Sequence, residues 1–209
     1  MTWIAPEVVD EFPELRLHEL TLEARSTPSP PELRDRLRVV ADRFRGPQAV
    51  ALRRQPVPWA YRVFFRHIGL DPDVHRTPVE ALALERLKRG GFPSRSTLDD
   101  ALTIAVMETG VPVWALDADR VEGEIGLRPA QRGEQLGEGE YADDVPAGRL
   151  VVADDAGPIG VLFGALAPGR GVSPETTRMT LLALQVTGVP DIHVEEALWS
   201  VSDTLTGGG

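Results

Sequence analysis

The stretch Gly110-Val111-Pro112-Val113-Trp114-Ala115-Leu116-Asp117 most constrains what this chain can fold into. A glycine free to end a helix in the left-handed region is followed by a proline that cannot continue one, and then by residues that read as a strand. Two punctuated helices lead into it. Thr77-Pro78-Val79-Glu80 reads as a capping box with proline at the first helical position. In that motif the threonine oxygen accepts from the Glu80 amide and the glutamate reaches back to the Thr77 amide. Lys88-Arg89-Gly90-Gly91 closes this helix with cations at its negative end and a glycine stop. Ser96-Thr97-Leu98-Asp99 opens the second helix, and Leu98, Leu102, Ala105 and Met107 carry it to Gly110.

Upstream, residues 14–24 alternate apolar and polar with one slip, which suggests a strand. Ser26-Thr27-Pro28-Ser29-Pro30-Pro31 is a turn that caps a helix carrying Leu33, Leu37, Val40 and Phe44, with Gly46-Pro47 as its stop. A helix with an aromatic face is expected from Trp59 to His67. Downstream of the turn, strands are expected over 111–116, 124–128, 150–153, 159–166 and 179–186, with an acidic, glycine-rich loop over 133–148. Asp154-Asp155-Ala156-Gly157-Pro158 reads as a hairpin turn, and Asp191 as the cap of a last helix bearing Val194, Leu198, Val201 and Leu205. Helices followed by consecutive strands give an α+β fold, a mixed sheet packed with helices. The division expected is a strand-helix lead over 1–58 packed on a main module over 59–205, with a tail over 206–209.

Composition narrows the classes. The chain has 209 residues and no cysteine, which removes disulfides, thiolate metal sites and a cysteine nucleophile, and suits a reducing compartment. No apolar run approaches the roughly 18 residues of a membrane span, and no secretory signal is legible, so a cytoplasmic location without membrane association is expected. The net charge is −10, but it is unevenly spread. Residues 25–95 hold 15 basic and 7 acidic side chains, and residues 96–209 hold 6 and 19. A basic middle on an acidic body can meet a phosphate backbone, or can equally be a solvated helical surface.

His18, His67, His75 and His193 stand in no metal-ligand spacing, and the pairs Asp143-Asp144 and Asp154-Asp155 sit in turns where carboxylates satisfy backbone amides. Gly169-Arg170-Gly171 before Ser173-Pro174-Glu175-Thr176 reads as a plain turn or as an anion nest. No nucleophile elbow, Walker loop or dinucleotide fingerprint is present, and neither a metal nor a cofactor is expected. Trp114 is either a core plug or one wall of a pocket that stacks on a planar ligand.

Several separated stretches come in one order: Thr77 to Ser94, Leu98 to Asp117, Val121 to Arg128, Leu150 to Gly157 and Val172 to Thr177. That order resembles the tRNA-binding and editing module of the bacterial phenylalanyl-tRNA synthetase beta subunit, its paired third and fourth B modules. The resemblance covers about residues 60–205, and residues 1–58 look like the lead of free-standing relatives. It implies a stand-alone tRNA-binding, editing-like domain rather than a ligase, one that could act as a hydrolase of aminoacyl-tRNA in trans. The alternative is an amino-acid or small-molecule binding protein without tRNA activity. It further implies a substrate pocket of Thr103, Trp114, Ala115, Glu124 and Asp154, and tRNA contacts from Arg53, Arg54, Arg62, Arg66, Arg76 and Arg89. The partners expected are tRNA or aminoacyl-tRNA, or a free amino acid.

The family's pocket turn reads G-Q-P-x-H-A-F-D. Here Val111 stands at the glutamine position and Trp114 at the histidine position, Thr103 matches a helix-end asparagine, and the stretch Gly164 to Gly169 lacks the family's glutamate. Ester hydrolysis needs a positioned water and groups that favour the developing oxyanion, so no catalytic residue is assigned.

Overall fold

The computed structural model describes residues 2–137, 139 and 142–207. The polar loop expected over 133–148 therefore falls partly outside the described residues, at 138, 140 and 141, as does the end of the tail, 208 and 209. The helices are α1 (Pro6–Glu11), α2 (Pro31–Arg43), α3 (Gly46–Ala51), α4 (Pro56–His67), α5 (Pro78–Arg89), α6 (Thr97–Thr109) and α7 (Asp191–Thr206). The strands are β1 (Trp3–Ile4), β2 (Arg16–Glu23), β3 (Val113–Asp117), β4 (Gly126–Pro129), β5 (Gln135–Leu136), β6 (Asp143–Asp144), β7 (Leu150–Asp154), β8 (Gly157–Val161) and β9 (Arg178–Gln185). This is an α+β fold.

β9 is buried along seven of its eight residues, because it is the middle strand of the sheet β2-β9-β3. Both neighbours run antiparallel to it, with Leu20 opposite Leu181 on one side and Ala115 opposite the same residue on the other. A second sheet, β1-β4-β7-β8, faces the same core, and a two-stranded ribbon, β5-β6, covers a small cluster of Leu136, Val145 and Val151. The first residues complete both sheets. β1 pairs parallel with β4, and β2 pairs with β9 over its whole length. Gly126 is required where Trp3 crosses β4, since a Cβ there would lie 2.0 Å from the indole. α7 packs on β9 and α6, while Leu33, Leu37 and Val40 of α2 bury against Ile104, Val106 and Met107 of α6.

Helix punctuation follows the sequence at most ends. Gly90 and Gly110 both take φ 77, and the Ser96 hydroxyl accepts from the Asp99 amide at 3.1 Å. Three local readings are corrected. Gly46-Pro47 starts α3 rather than only stopping α2. The residue before α7 is Pro190, and Asp191 lies in the first turn, where its carboxylate accepts from Gln185 Nε2 at 2.5 Å. The Thr77 hydroxyl donates to Glu80 Oε2 at 2.9 Å, in place of the reciprocal bonds to backbone amides.

The reason for the last difference is Arg62. Its guanidinium donates to Glu80 Oε1 at 2.7 Å and to Asp73 Oδ1 at 2.8 Å, drawing Glu80 away from the helix amides. The arginine side chain is 4% exposed and that of Glu80 8%. Burial disfavours the charged guanidinium, yet the bonds to Asp73 and the attraction of Glu80 outweigh it and raise the Arg62 pKa. The Arg62 hydrogen bond in turn holds the Asp73 carboxyl below its ordinary 3.8. Its folded value being the lower one, this contribution is complete above pH 3.8 and is lost as the pH falls through the folded value.

Removing one partner leaves the other charge buried, so Arg62→Ala is expected to destabilise the fold by about 3–5 kcal/mol. Arg62→Met combined with Glu80→Gln is expected to recover most of that loss. Urea unfolding of the two variants checks both expectations.

Candidate functional site

The turn after α6 is built by close approach. A side chain on Gly110 would meet both Val57 and Pro58 of α4 at 3.1 Å, so glycine is needed there for space as well as for φ. The Val111 amide, left without a helical partner, donates to Thr109 Oγ1 at 3.1 Å. Pro112 then releases the chain into β3, an edge strand whose Trp114 stands half-buried opposite Leu182.

Across from Trp114, the chain after β8 does not continue as the strand expected through Leu166. It turns back on itself. The Gly164 amide donates to the Val161 carbonyl at 2.8 Å, and Val161 N donates to Ala165 O at 2.9 Å. A Cβ on Gly160 would sit 2.7 Å from Leu166, so glycine allows the return. Phe163, at the tip, takes φ 58, a left-handed backbone conformation rarely adopted by a bulky residue. Its ring is gripped by three residues of α4: Phe65 at 4.8 Å, Phe64 at 6.3 Å and Tyr61 at 6.4 Å between centroids. Trp114 meets it edge to face at 6.3 Å.

Between these elements lies a cavity of about 330 Å³, lined by Pro78, Pro112, Val113, Trp114, Val152, Gly160, Val161, Phe163, Gly164 and Leu166. None of these lining residues is titratable. Trp114 and Phe163 form two of its walls, and the alternatives left by the sequence combine: the indole packs on the core and also borders the cavity. A second cavity of about 340 Å³ adjoins it, sharing Pro78 and Val113. This one is polar-rimmed by Glu85, Arg95, Asp99 and Asp100. Asp100 is fully engaged, accepting from Ser29, Ser94 and the Arg95 amide.

The residues expected in one pocket are distributed. Thr103 lines the adjoining cavity, where its hydroxyl donates to Asp99 O at 2.8 Å. Trp114 lines the apolar one, and Ala115 is buried in the core one residue on. Glu124 is exposed in the loop before β4, its carbonyl accepting from Trp3 Nε1 at 3.4 Å. Asp154 is buried at the β7–β8 turn, accepting from the amides of Glu122, Ala156 and Gly157 and pairing with Arg170 at 2.8 Å. Neither Glu124 nor Asp154 lines the Trp114 cavity. Missed by sequence reasoning were Phe163 and Gly160. The only signal for them was the pair of glycines at 160 and 164 flanking an aromatic residue in an expected strand.

The arginines divide as well. Arg62 is corrected from a surface contact to a buried structural cation, because Glu80 and Asp73 hold it in place. Arg89 pairs with Glu85 at 3.4 Å, and Arg76 approaches Asp73 at 3.8 Å. Arg53, Arg54 and Arg66 are exposed, with no ion pair among the described residues. Arg66 lies over the Trp59 ring at 5.6 Å. Among the described residues no cluster of three or more His, Asp or Glu side chains is arranged to hold a metal, and no helix is long and apolar enough to cross a membrane.

Comparisons with known proteins bear on the same region. A family model described as the B3/4 domain matches residues 60–192. The phenylalanine–tRNA ligase beta subunit of Streptomyces avermitilis is 37% identical over 94 residues, covering 44% of this chain and 11% of that protein. The beta subunit of Cutibacterium acnes is 32% identical over 105 residues, covering 50% and 12%. The chain thus spans only a small part of the length of these relatives. An N-terminal fragment of the phenylalanyl-tRNA synthetase beta subunit of Pyrococcus horikoshii aligns over 98% of this chain and 48% of its own, with a TM-score of 0.45 and 10% identity.

Phe163→Ala removes the ring that joins α4 to the cavity. Truncating a packed aromatic costs about 3–5 kcal/mol, whereas Phe163→Gly regains roughly 1 kcal/mol of backbone strain. Phe163→Gly is therefore expected to melt higher than Phe163→Ala, the reverse of the order at an ordinary strand position. Thermal unfolding of the two variants checks this.

Proposed function

Since the chain belongs to the B3/4 domain family, we propose that it is an RNA-binding module that takes tRNA, and that its Trp114–Phe163 cavity holds the side chain of an attached amino acid. The observation that carries this reading is the cavity itself, about 330 Å³, apolar and walled by two aromatic rings. Such walls suit a large apolar or aromatic aminoacyl group, which gains by leaving water and by offset or edge contact with the rings. Of the six arginines expected to contact tRNA, Arg53, Arg54 and Arg66 form no ion pair among the described residues and are open to phosphates.

The same lining argues for binding without hydrolysis. Ester cleavage calls for proton transfer by a positioned group and for donors aimed at the developing oxyanion. The cavity has no ionisable side chain among its lining residues. The carboxylates of Glu85, Asp99 and Asp100 line the neighbouring cavity, which shares Pro78 and Val113 with this one. A trans-acting hydrolase would have to recruit that second cavity. The alternative of a free amino-acid binder draws on the net charge of −10, which opposes a polyanion overall.

Charged tRNA is expected to bind more tightly than the same tRNA uncharged, and Trp114→Ala is expected to erase that difference while leaving uncharged binding intact. Affinity should fall with salt. Replacing Arg53, Arg54 and Arg66 by Gln should lessen the slope of log K against log salt by about 0.7–0.9 for each phosphate left without its cation. Filter binding over a salt series measures all three. A mischarged-tRNA panel is expected to show no accelerated deacylation. Absence of tRNA binding at low salt would overturn the reading in favour of the free amino acid, which thermal shift would then detect.

A further inference from the structure

A larger cavity, about 470 Å³, lies between α1 and α4 and shares no lining residue with the Trp114 site. Trp59, Val63 and His67 recur at four-residue spacing and give it one helical wall. Phe12 gives it another, packed edge-on to Phe64 at 5.2 Å and tilted 31° to the His67 ring at 6.4 Å. Val186 and Gly188, just past β9, contribute further lining, and Glu11 stands among the lining residues as an exposed carboxylate.

Trp59 is 49% exposed at this cavity, and Arg66 lies over its ring. A half-exposed indole with a guanidinium over one face is a poor way to finish a core. It is an effective platform for a stacked base with its phosphate, since every base offers a π-face and the arginine answers the charge. Arg54 stands two residues before α4, whereas Arg53 lines a separate cavity with Arg76 and Glu80, so the cation at this site is Arg66. An apolar peptide side chain would use the ring but not the Arg66 cation.

We infer that this cavity binds a single unstacked nucleobase of RNA, stacked on Trp59 with its phosphate toward Arg66. The inference rests on the RNA-binding reading above. Glu11 adds a preference. A carboxylate only accepts hydrogen bonds, so it pairs readily with an exocyclic amine, whereas the one N–H of uracil lies between two carbonyls that repel it.

Fluorescence anisotropy with short oligo(A), oligo(U) and fully abasic strands tests the assignment. Wild type is expected to bind oligo(A) about 5- to 150-fold more tightly than the abasic strand, as stacking of one base predicts. In Trp59→Ala that preference is expected to collapse, and in Trp59→Phe, which keeps a ring, to persist. Glu11→Gln is expected to narrow the gap between oligo(A) and oligo(U). Equal binding of oligo(A) and abasic strands by the wild type overturns the inference, whatever the variants do to folding. So does a preference that survives in Trp59→Ala. If tRNA still binds in a salt-dependent manner while oligo(A) shows no preference, only this site fails. If neither binds, the RNA reading fails with it.

Discussion

The packing of Phe163 on the aromatic face of α4 is the interaction on which the rest of the site depends. Phe163 reaches Tyr61, Phe64 and Phe65 only because its backbone takes φ 58, a conformation that costs about 1–3 kcal/mol at a non-glycine position. The burial of aromatic surface offsets that cost, and the result is geometric. The β8 return is pinned to α4, Gly110 presses against the same helix, and the space between Trp114 and the return loop becomes a cavity of fixed shape. Tyr61 adds a second tie, its hydroxyl donating to the Leu184 carbonyl of β9 at 2.6 Å, with burial pushing its pKa upward.

α4 is therefore shared by three environments. One side meets Phe163, another lines the α1 cavity through Trp59 and His67, and Arg62 is buried against Glu80 and Asp73. A helix with that many obligations tolerates little change. It also explains why the basic character of the middle segment overstates what is available to a partner: one of its arginines neutralises the interior, and others are taken up by Asp73 and Glu85.

What the sequence disclosed and what it hid divide along physical lines. Elements set by local chemistry were legible: the left-handed stops at Gly90 and Gly110, the Ser96 cap, the alternation of β2 and the apolar run of β9. Features that depend on distant partners were not. Glu80 abandons the capping box because Arg62, eighteen residues earlier, outcompetes a backbone amide. The expected strand through Leu166 breaks because tertiary packing on α4 stabilises an otherwise strained Phe163. Of the expected site, Trp114 lines the apolar cavity, whereas Asp154 is occupied by three amides and Arg170. Periodicity reports which face of an element is buried, not which loop from elsewhere will meet it.

Trp114 gives the cavity its character. Its indole walls a site that can desolvate and grip an apolar side chain, and none of the residues lining that site carries an ionisable group. The Pro78–Val113 partition separates that apolar space from the polar cavity beside it. On the proposed reading, recognition of an aminoacyl group is thereby decoupled from its chemistry. The most direct measurement is a crystal structure of the protein with a non-hydrolysable phenylalanyl-adenosine amide. An aminoacyl ring bound between Trp114 and Phe163 is the expected result, and a ring bound anywhere else, or excluded while the cavity stays empty, contradicts it.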